Sequence, residues 1–244
     1  MIPHYRFPAT TALNHRLPKE TLYQRLNPTV ALKQAFIGEV QEIHWRHKLA
    51  ADTLNLASSA DYPELQVFDI ELKAGVSELS EAIMHAIDAL IVFPIFYRLT
   101  RVSGDNTQVQ YQLAYKAPVV AGSDKVKLGR YFASPWLPLP SEAMLAPLPM
   151  ALNMGQLYRQ LLQPLVESVL SAGSALILAS LPNAPWQPRT AEPLSGWMDR
   201  LDEGAKLEKR ITRLQGQLAR EKQFNRKIEL NRELYGLTQA LLAL

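Results

Sequence analysis

Leu65-Gln-Val-Phe-Asp-Ile-Glu-Leu-Lys73 alternates with a period of two: Phe68, Ile70 and Leu72 fall on one side, Val67, Asp69, Glu71 and Lys73 on the other. That is the pattern of a strand with one buried face. Gly75 ends it. Ser77–Ala89 then reads as a helix that gathers Leu79, Ala82, Ile83, His85, Ala86 and Leu90, and His85 on that apolar face reads as a buried, hydrogen-bonded histidine. Ile91-Val-Phe-Pro-Ile-Phe-Tyr-Arg-Leu99 is an apolar strand in which Pro94 marks the beginning or a bulge. After the turn residues Gly104-Asp-Asn-Thr, Val109, Tyr111, Leu113 and Tyr115 alternate with glutamines and alanine, and Lys125–Phe132 supplies a further strand. Strand, helix, strand, turn, strand predicts an α/β (or α+β) domain, a mixed sheet with packed helices.

Upstream, Leu17–Leu26 predicts a short helix with Pro18 at its start, and Asn27-Pro28 opens a second helix with Leu32, Ala35, Phe36, Val40 and Ile43 on its apolar face. His44 and His47 are three apart and could share a helix face with Glu39 or Glu42, but a third metal ligand is missing and packing explains them. Downstream, Pro135-Trp-Leu-Pro-Leu-Pro-Ser, Pro147 and Pro149 forbid a continuous helix and predict an extended connection. Met154–Ala172 is helical by pattern, with Pro164 kinking or cutting it; Ser174–Leu181 is ambiguous between helix and strand, and Asn183-Ala-Pro-Trp-Gln-Pro forms a second linker.

From Asp199 to Leu244 there is no proline. Leu207, Ile211, Leu214 and Leu218 step by four, three and four, so they form one stripe on a charged helix. A second stripe, Leu230, Leu234, Leu237 and Leu241, starts out of phase with the first. The reading is one long coiled-coil helix of about 40 residues beginning after Gly204, and up to about 69 Å if it spans the whole segment at ~1.5 Å per residue. So narrow a stripe on so long a rod needs another helix. The domain organisation expected is 1–135 for the α/β domain, 136–198 for a proline-rich connection with a helical segment, and 199–244 for the coiled-coil arm. Partner contacts are expected at Leu207, Ile211, Leu214, Leu218, Phe224, Asn225 and Ile228, through another protein or a second copy of this chain.

The chain has 244 residues, 48% hydrophobic and 20% charged, and no cysteine, which removes disulfides, thiolate zinc sites and cysteine nucleophiles together. No signal pattern and no run of about 18 apolar residues is present, so a cytoplasmic protein without a membrane span is expected. The formal charge of +3 arises in residues 199–244, which hold ten Lys/Arg and seven Asp/Glu. DNA-backbone contacts by Arg220, Lys222, Arg226 and Lys227 are one reading of it; pairing along a solvated helix is the other.

The run Glu221-Lys-Gln-Phe-Asn-Arg-Lys-Ile-Glu-Leu-Asn231, the strand Val67–Lys73, the helix Ala82–Ala89, the strand Ile91–Tyr97 and Ile43-His-Trp-Arg-His-Lys-Leu49 together resemble a bacterial family of defence-island accessory proteins. Members of that family look to be encoded beside a DEAD/DEAH-type helicase and a DNA methyltransferase in restriction-modification-like systems. The resemblance implies a non-catalytic accessory subunit that docks a helicase or methyltransferase. It brings no catalytic residues.

The enzymatic alternative is a metal-dependent nuclease of restriction-endonuclease type. Glu71 and Lys73 alternate on one strand face, with Glu39, Asp52 or Asp61 as a further acid and Mg²⁺ as the cofactor; without that activity no cofactor is expected. An amphipathic edge strand shows the same pattern. No nucleophile elbow and no phosphate loop occurs, and Gly122-Ser-Asp-Lys125 lacks the loop's spacing.

Overall fold

The computed structural model describes residues 2–117, 127–172, 187–189 and 191–244. Gly122–Lys125, Ser174–Leu181 and Asn183–Trp186, named above, lie outside them. The chain forms two compact units, Met1–Val169 and Leu170–Leu244, in place of the three segments read from the sequence. Residues 136–169 of the expected connection belong to the first unit and 170–198 to the second.

The first unit is built on a mixed seven-stranded sheet, as expected. Its strands are β2 (Ala12–Arg16), β3 (Val40–Ala50), β4 (Glu64–Leu72), β5 (Ile95–Ser103), β6 (Asn106–Lys116) and β7 (Leu128–Ala133), neighbouring in that order, with β8 (Leu137–Pro138) paired to β6. Within this sheet, among the described residues, only β4 and β5 pair in parallel; the helix α4 (Glu81–Leu90) supplies the crossover such a pair requires. Pro94 immediately precedes β5, where its missing N–H costs no ladder bond. Short strands β1 (Tyr5–Arg6) and β9 (Ala146–Pro147) pair separately.

Helices α1 (Lys19–Leu26), α2 (Val30–Glu39) and α4 cover one sheet face. Phe36, Ile43, Phe68, Ile70, Ile83, Ile87, Tyr97 and Leu99 are buried between them. His85 faces outward against the Tyr131 ring, with centroids 5.3 Å apart, so it is not the buried histidine expected. On the opposite face the N-terminal segment crosses the sheet, with Phe7 and Tyr5 against Phe96. A four-residue helix α3 (Ala51–Leu54) follows β3, and α5 (Met154–Ala172) runs through Pro164 as one continuous helix.

The second expected helix stops earlier than its apolar spacing implied. It ends at Glu39, and Val40 begins β3 directly. Two register shifts explain the misreading. Gln41 and Arg46 are extra residues opposite β4, so Val40 and Ile43 face the helices while His44 and His47 share the other face. A bulged strand thus places residues three apart on one side, imitating a helical period.

The second unit contains α6 (Leu194–Arg220) and α7 (Phe224–Leu242). The long coiled-coil helix is divided at Glu221–Gln223 and folds back into a hairpin, and Gly204 lies inside α6, not before it. The cause is phase. Twelve residues separate Leu218 from Leu230, so at about 100° per residue the two leucine stripes lie roughly 120° apart on one continuous helix. Folding back lets each stripe cover the other. Glu221 supports the turn: its carboxylate accepts the backbone N–H groups of Lys222 (2.7 Å) and Gln223 (2.9 Å), which holds its pKa below the usual carboxylate value.

Candidate functional site

The hairpin rearranges the expected partner contacts. Ile211 and Leu241 form its buried centre, with Leu207, Leu234, Leu237 and Leu244 packed around them, and Leu214 and Leu230 are buried as well. Arg210 pairs with Glu233 across the helices at 2.5 Å. Ile211 and Leu214 therefore have no surface left to share, and Leu207 and Leu218 are half-covered. Asn225 is exposed at the start of α7 and sets no register in this hairpin. A Cβ added at Gly216 or Gly236 would meet nothing within 4 Å, so neither glycine marks a close approach.

What remains open is a different stripe. Phe224, Ile228, Tyr235 and Leu242 are 76%, 45%, 67% and 46% exposed. At about 100° per residue they fall within roughly 40° of one another on α7, some 120° from its buried leucines. Arg220, Lys222, Arg226 and Lys227 are exposed around the turn and the start of α7, with Arg226 held 2.5 Å from Glu229.

The nuclease residues are not drawn into one group. Glu71 is exposed near the end of β4, and Lys73 donates its backbone N–H to the Glu39 carbonyl, so these three lie at one end of the sheet. The Glu39 carboxylate is engaged with the backbone N–H of Ser80 at 2.7 Å. Asp52 follows Ala50, which pairs with Glu64 at the opposite end of the β3–β4 ladder from Val40 and Leu72. Eight residues of β4 separate those ends, about 26 Å at ~3.3 Å per residue. Among the described residues no three His, Asp or Glu side chains are placed to hold a metal ion.

The acid that β4 does use is Asp69, which sequence pattern had placed on the polar face without a role. It accepts two bonds from Arg98 (2.6 and 2.9 Å) and one from Arg46 (2.8 Å), the residue re-aimed by the bulge. His47 lies beside this cluster, stacked on Phe7 at 4.9 Å, while the Arg98 guanidinium sits over the same Phe7 ring, 5.4 Å from its centroid. Thr11 gives its hydroxyl proton to the Pro8 carbonyl, so its 3.0 Å contact with His47 Nδ1 takes the imidazole as donor. Burial pulls the His47 pKa from 6.5 to about 4, reinforced by Arg98 and Arg46 and opposed by Asp69.

Between pH 6.5 and 4 the unfolded chain therefore binds a proton that folded His47 refuses. Stability falls as pH drops through that window and levels off below it, by less than about 3.4 kcal/mol for this group, since solvent screening of a partly exposed ring reduces the full effect. Urea midpoints at pH 7, 5.5 and 4 should trace this slope. His47→Gln should flatten it to the part contributed by His4, whose pKa burial also lowers, and, towards pH 4, by carboxylates such as Glu221 whose pKa is held down.

A second polar cluster lies wholly inside the first unit. Lys116, 1% exposed, places Nζ 2.7 Å from Asp88 Oδ1 and donates to the carbonyls of Asp88 (3.2 Å), Ile91 (2.5 Å) and Phe93 (2.9 Å). Asp88 Oδ2 accepts from the Tyr97 hydroxyl at 3.0 Å and from Tyr131. Burial lowers the Lys116 pKa, Asp88 opposes that, and both tyrosines are raised well above 10, chiefly by burial. The lysine caps the orphan carbonyls at the end of α4 with a full charge. It is a buried structural anchor.

Fold and site together define a mixed α/β domain with a C-terminal helical hairpin, whose open surface is apolar and basic at the hairpin and polar at the sheet. The chain belongs to the family described as domain of unknown function DUF4391, whose model matches residues 6–241. No curated protein and no solved structure matches it. No helix among the described residues is long and apolar enough to cross a membrane.

Proposed function

We propose that this protein is a cytoplasmic, non-catalytic accessory subunit of a bacterial restriction-type DNA defence system, docking a helicase or DNA methyltransferase through the outer face of α7. One observation carries the docking part: Phe224, Ile228, Tyr235 and Leu242 form an exposed stripe on a helix whose other stripe is already buried. Large aromatic side chains held on a rigid helix are the residues that dominate helix-in-groove interfaces. The class of partner comes from the family resemblance.

The test is co-purification of the native complex with the wild-type chain and with Phe224→Glu/Tyr235→Glu. The double variant should keep its thermal midpoint and lose the helicase or methyltransferase. Each aromatic anchor should contribute about 2 kcal/mol, or roughly thirtyfold in affinity. Retention of both partners by the double variant would rule out α7 as the docking element. A DNA-binding adaptor is the second reading, favoured by exposed Arg220, Lys222, Arg226 and Lys227 around the turn. It requires DNA affinity that falls steeply with salt and weakens in Lys222→Gln/Lys227→Gln.

A further inference from the structure

Beside the Ile91–Phe93 segment that Lys116 anchors, the first unit holds a cavity of about 480 Å³. That lies within the roughly 300–1,000 Å³ typical of small-molecule sites. Its deepest lining residues, Leu22, Gln66 and Phe68, are 5%, 2% and 0% exposed. The half-buried walls include Trp45 and Phe93, and the Trp45 and Phe68 rings lie 6.0 Å apart between centroids.

The polar groups of this cavity are divided by depth. Inside, they are already paired with one another. Trp45 Nε1 donates to Gln66 Oε1 at 2.8 Å, Gln66 Nε2 donates to Glu64 Oε2 at 3.2 Å, and Glu64 pairs with Lys48 at 3.0 Å. The interior therefore asks an occupant for apolar contact, since a polar group buried there would forfeit its water without finding an equivalent partner. The exposed lining residues are Arg25, His15 and Thr21, and neither the Arg25 guanidinium nor the Thr21 hydroxyl has a hydrogen-bond or ion-pair partner among the described residues. With Glu64 neutralised by Lys48, the rim is cationic.

We infer that this cavity binds a small aromatic acid, its flat ring packed against Trp45, Phe68 and Phe93 and its carboxylate at Arg25. The division of the lining fixes the orientation: the ring enters where the protein's own polar groups are satisfied, and the anion stays at the rim where a guanidinium can meet it in a fork of two bonds. A cation of the same shape would meet Arg25 with like charge.

The experiment uses the full-length chain with 2-naphthoate and 2-naphthylmethylammonium as probes, titrated by calorimetry and by chemical-shift changes. Naphthoate should saturate a single site and bind at least about tenfold more tightly than the ammonium, a difference of about 1.4 kcal/mol. Arg25→Glu, at an exposed position, should remove that preference. Val92→Trp, placing a ring in the cavity from its half-exposed wall, should remove saturable binding of both probes, with an unchanged thermal midpoint reporting an intact fold. Equal affinity for the two probes, a preference that survives Arg25→Glu, binding that survives Val92→Trp, or no saturable naphthoate binding would each overturn the assignment.

Discussion

Lys116→Met is expected to destabilise the Met1–Val169 unit by about 3–5 kcal/mol, the range for removing one partner of a buried ion pair. For a unit of this size that is a fall of about 6–20 °C in its thermal midpoint. The substitution keeps most of the volume but leaves Asp88 charged in the core with only two tyrosine hydroxyls, and it uncaps the carbonyls of Asp88, Ile91 and Phe93. The pH dependence identifies the mechanism. With its counter-charge gone, Asp88 should bind a proton more readily folded than unfolded, so the deficit should shrink as pH falls and grow as pH rises. A deficit that stays constant from pH 4 to 8 would mean that lost packing, not an orphaned carboxylate, is responsible. The double variant Lys116→Met/Asp88→Asn should recover part of the loss at neutral pH.

Leu241→Ala is expected to cost about 2–5 kcal/mol in the hairpin, since Leu241 is fully buried against Ile211 and its truncation leaves a cavity. Amide exchange should report it locally: protection should fall across Phe224–Leu242 while the central sheet of the other unit keeps its rates. Phe224→Ala, which removes an exposed ring from the same helix, should change stability by less than about 0.5 kcal/mol. Together the two substitutions separate the stripe that holds the hairpin from the stripe offered to a partner. Equal losses in both would contradict that division.

The central strands were legible because their chemistry is unambiguous. The alternation of Val109, Tyr111, Leu113 and Tyr115 and the apolar run after Pro94 admit few alternatives. β3 was not legible, because its two bulges turn a period of two into steps of three. Lys116 was invisible for a related reason: a lysine at the end of an alternating strand looks like a surface residue until the carbonyls that surround it are brought from α4 and the following turn. In the hairpin both leucine stripes could be read, but not that each is the other's partner. Neither glycine nor proline marks the reversal at Glu221–Gln223; the signal was the phase difference between the stripes. The naphthyl-sized cavity draws its lining from α1, three strands and the Leu90–Phe93 segment, and no local sequence pattern announces it.

The pairing of Tyr5 with Ala146 has a consequence for biosynthesis. The two partners are 141 residues apart in sequence, and at about 5–20 residues per second the ribosome takes roughly 7–28 s to deliver the second after the first. Phe96 is made 50 residues before Ala146, so for the last roughly 3–10 s of that interval the aromatic side of the nascent sheet, including Phe96 and then Tyr111, lacks its finished N-terminal cover. A growing chain with this wiring is open to premature sticking over that window, so its yield in cells should depend on chaperone supply well before any partner is present.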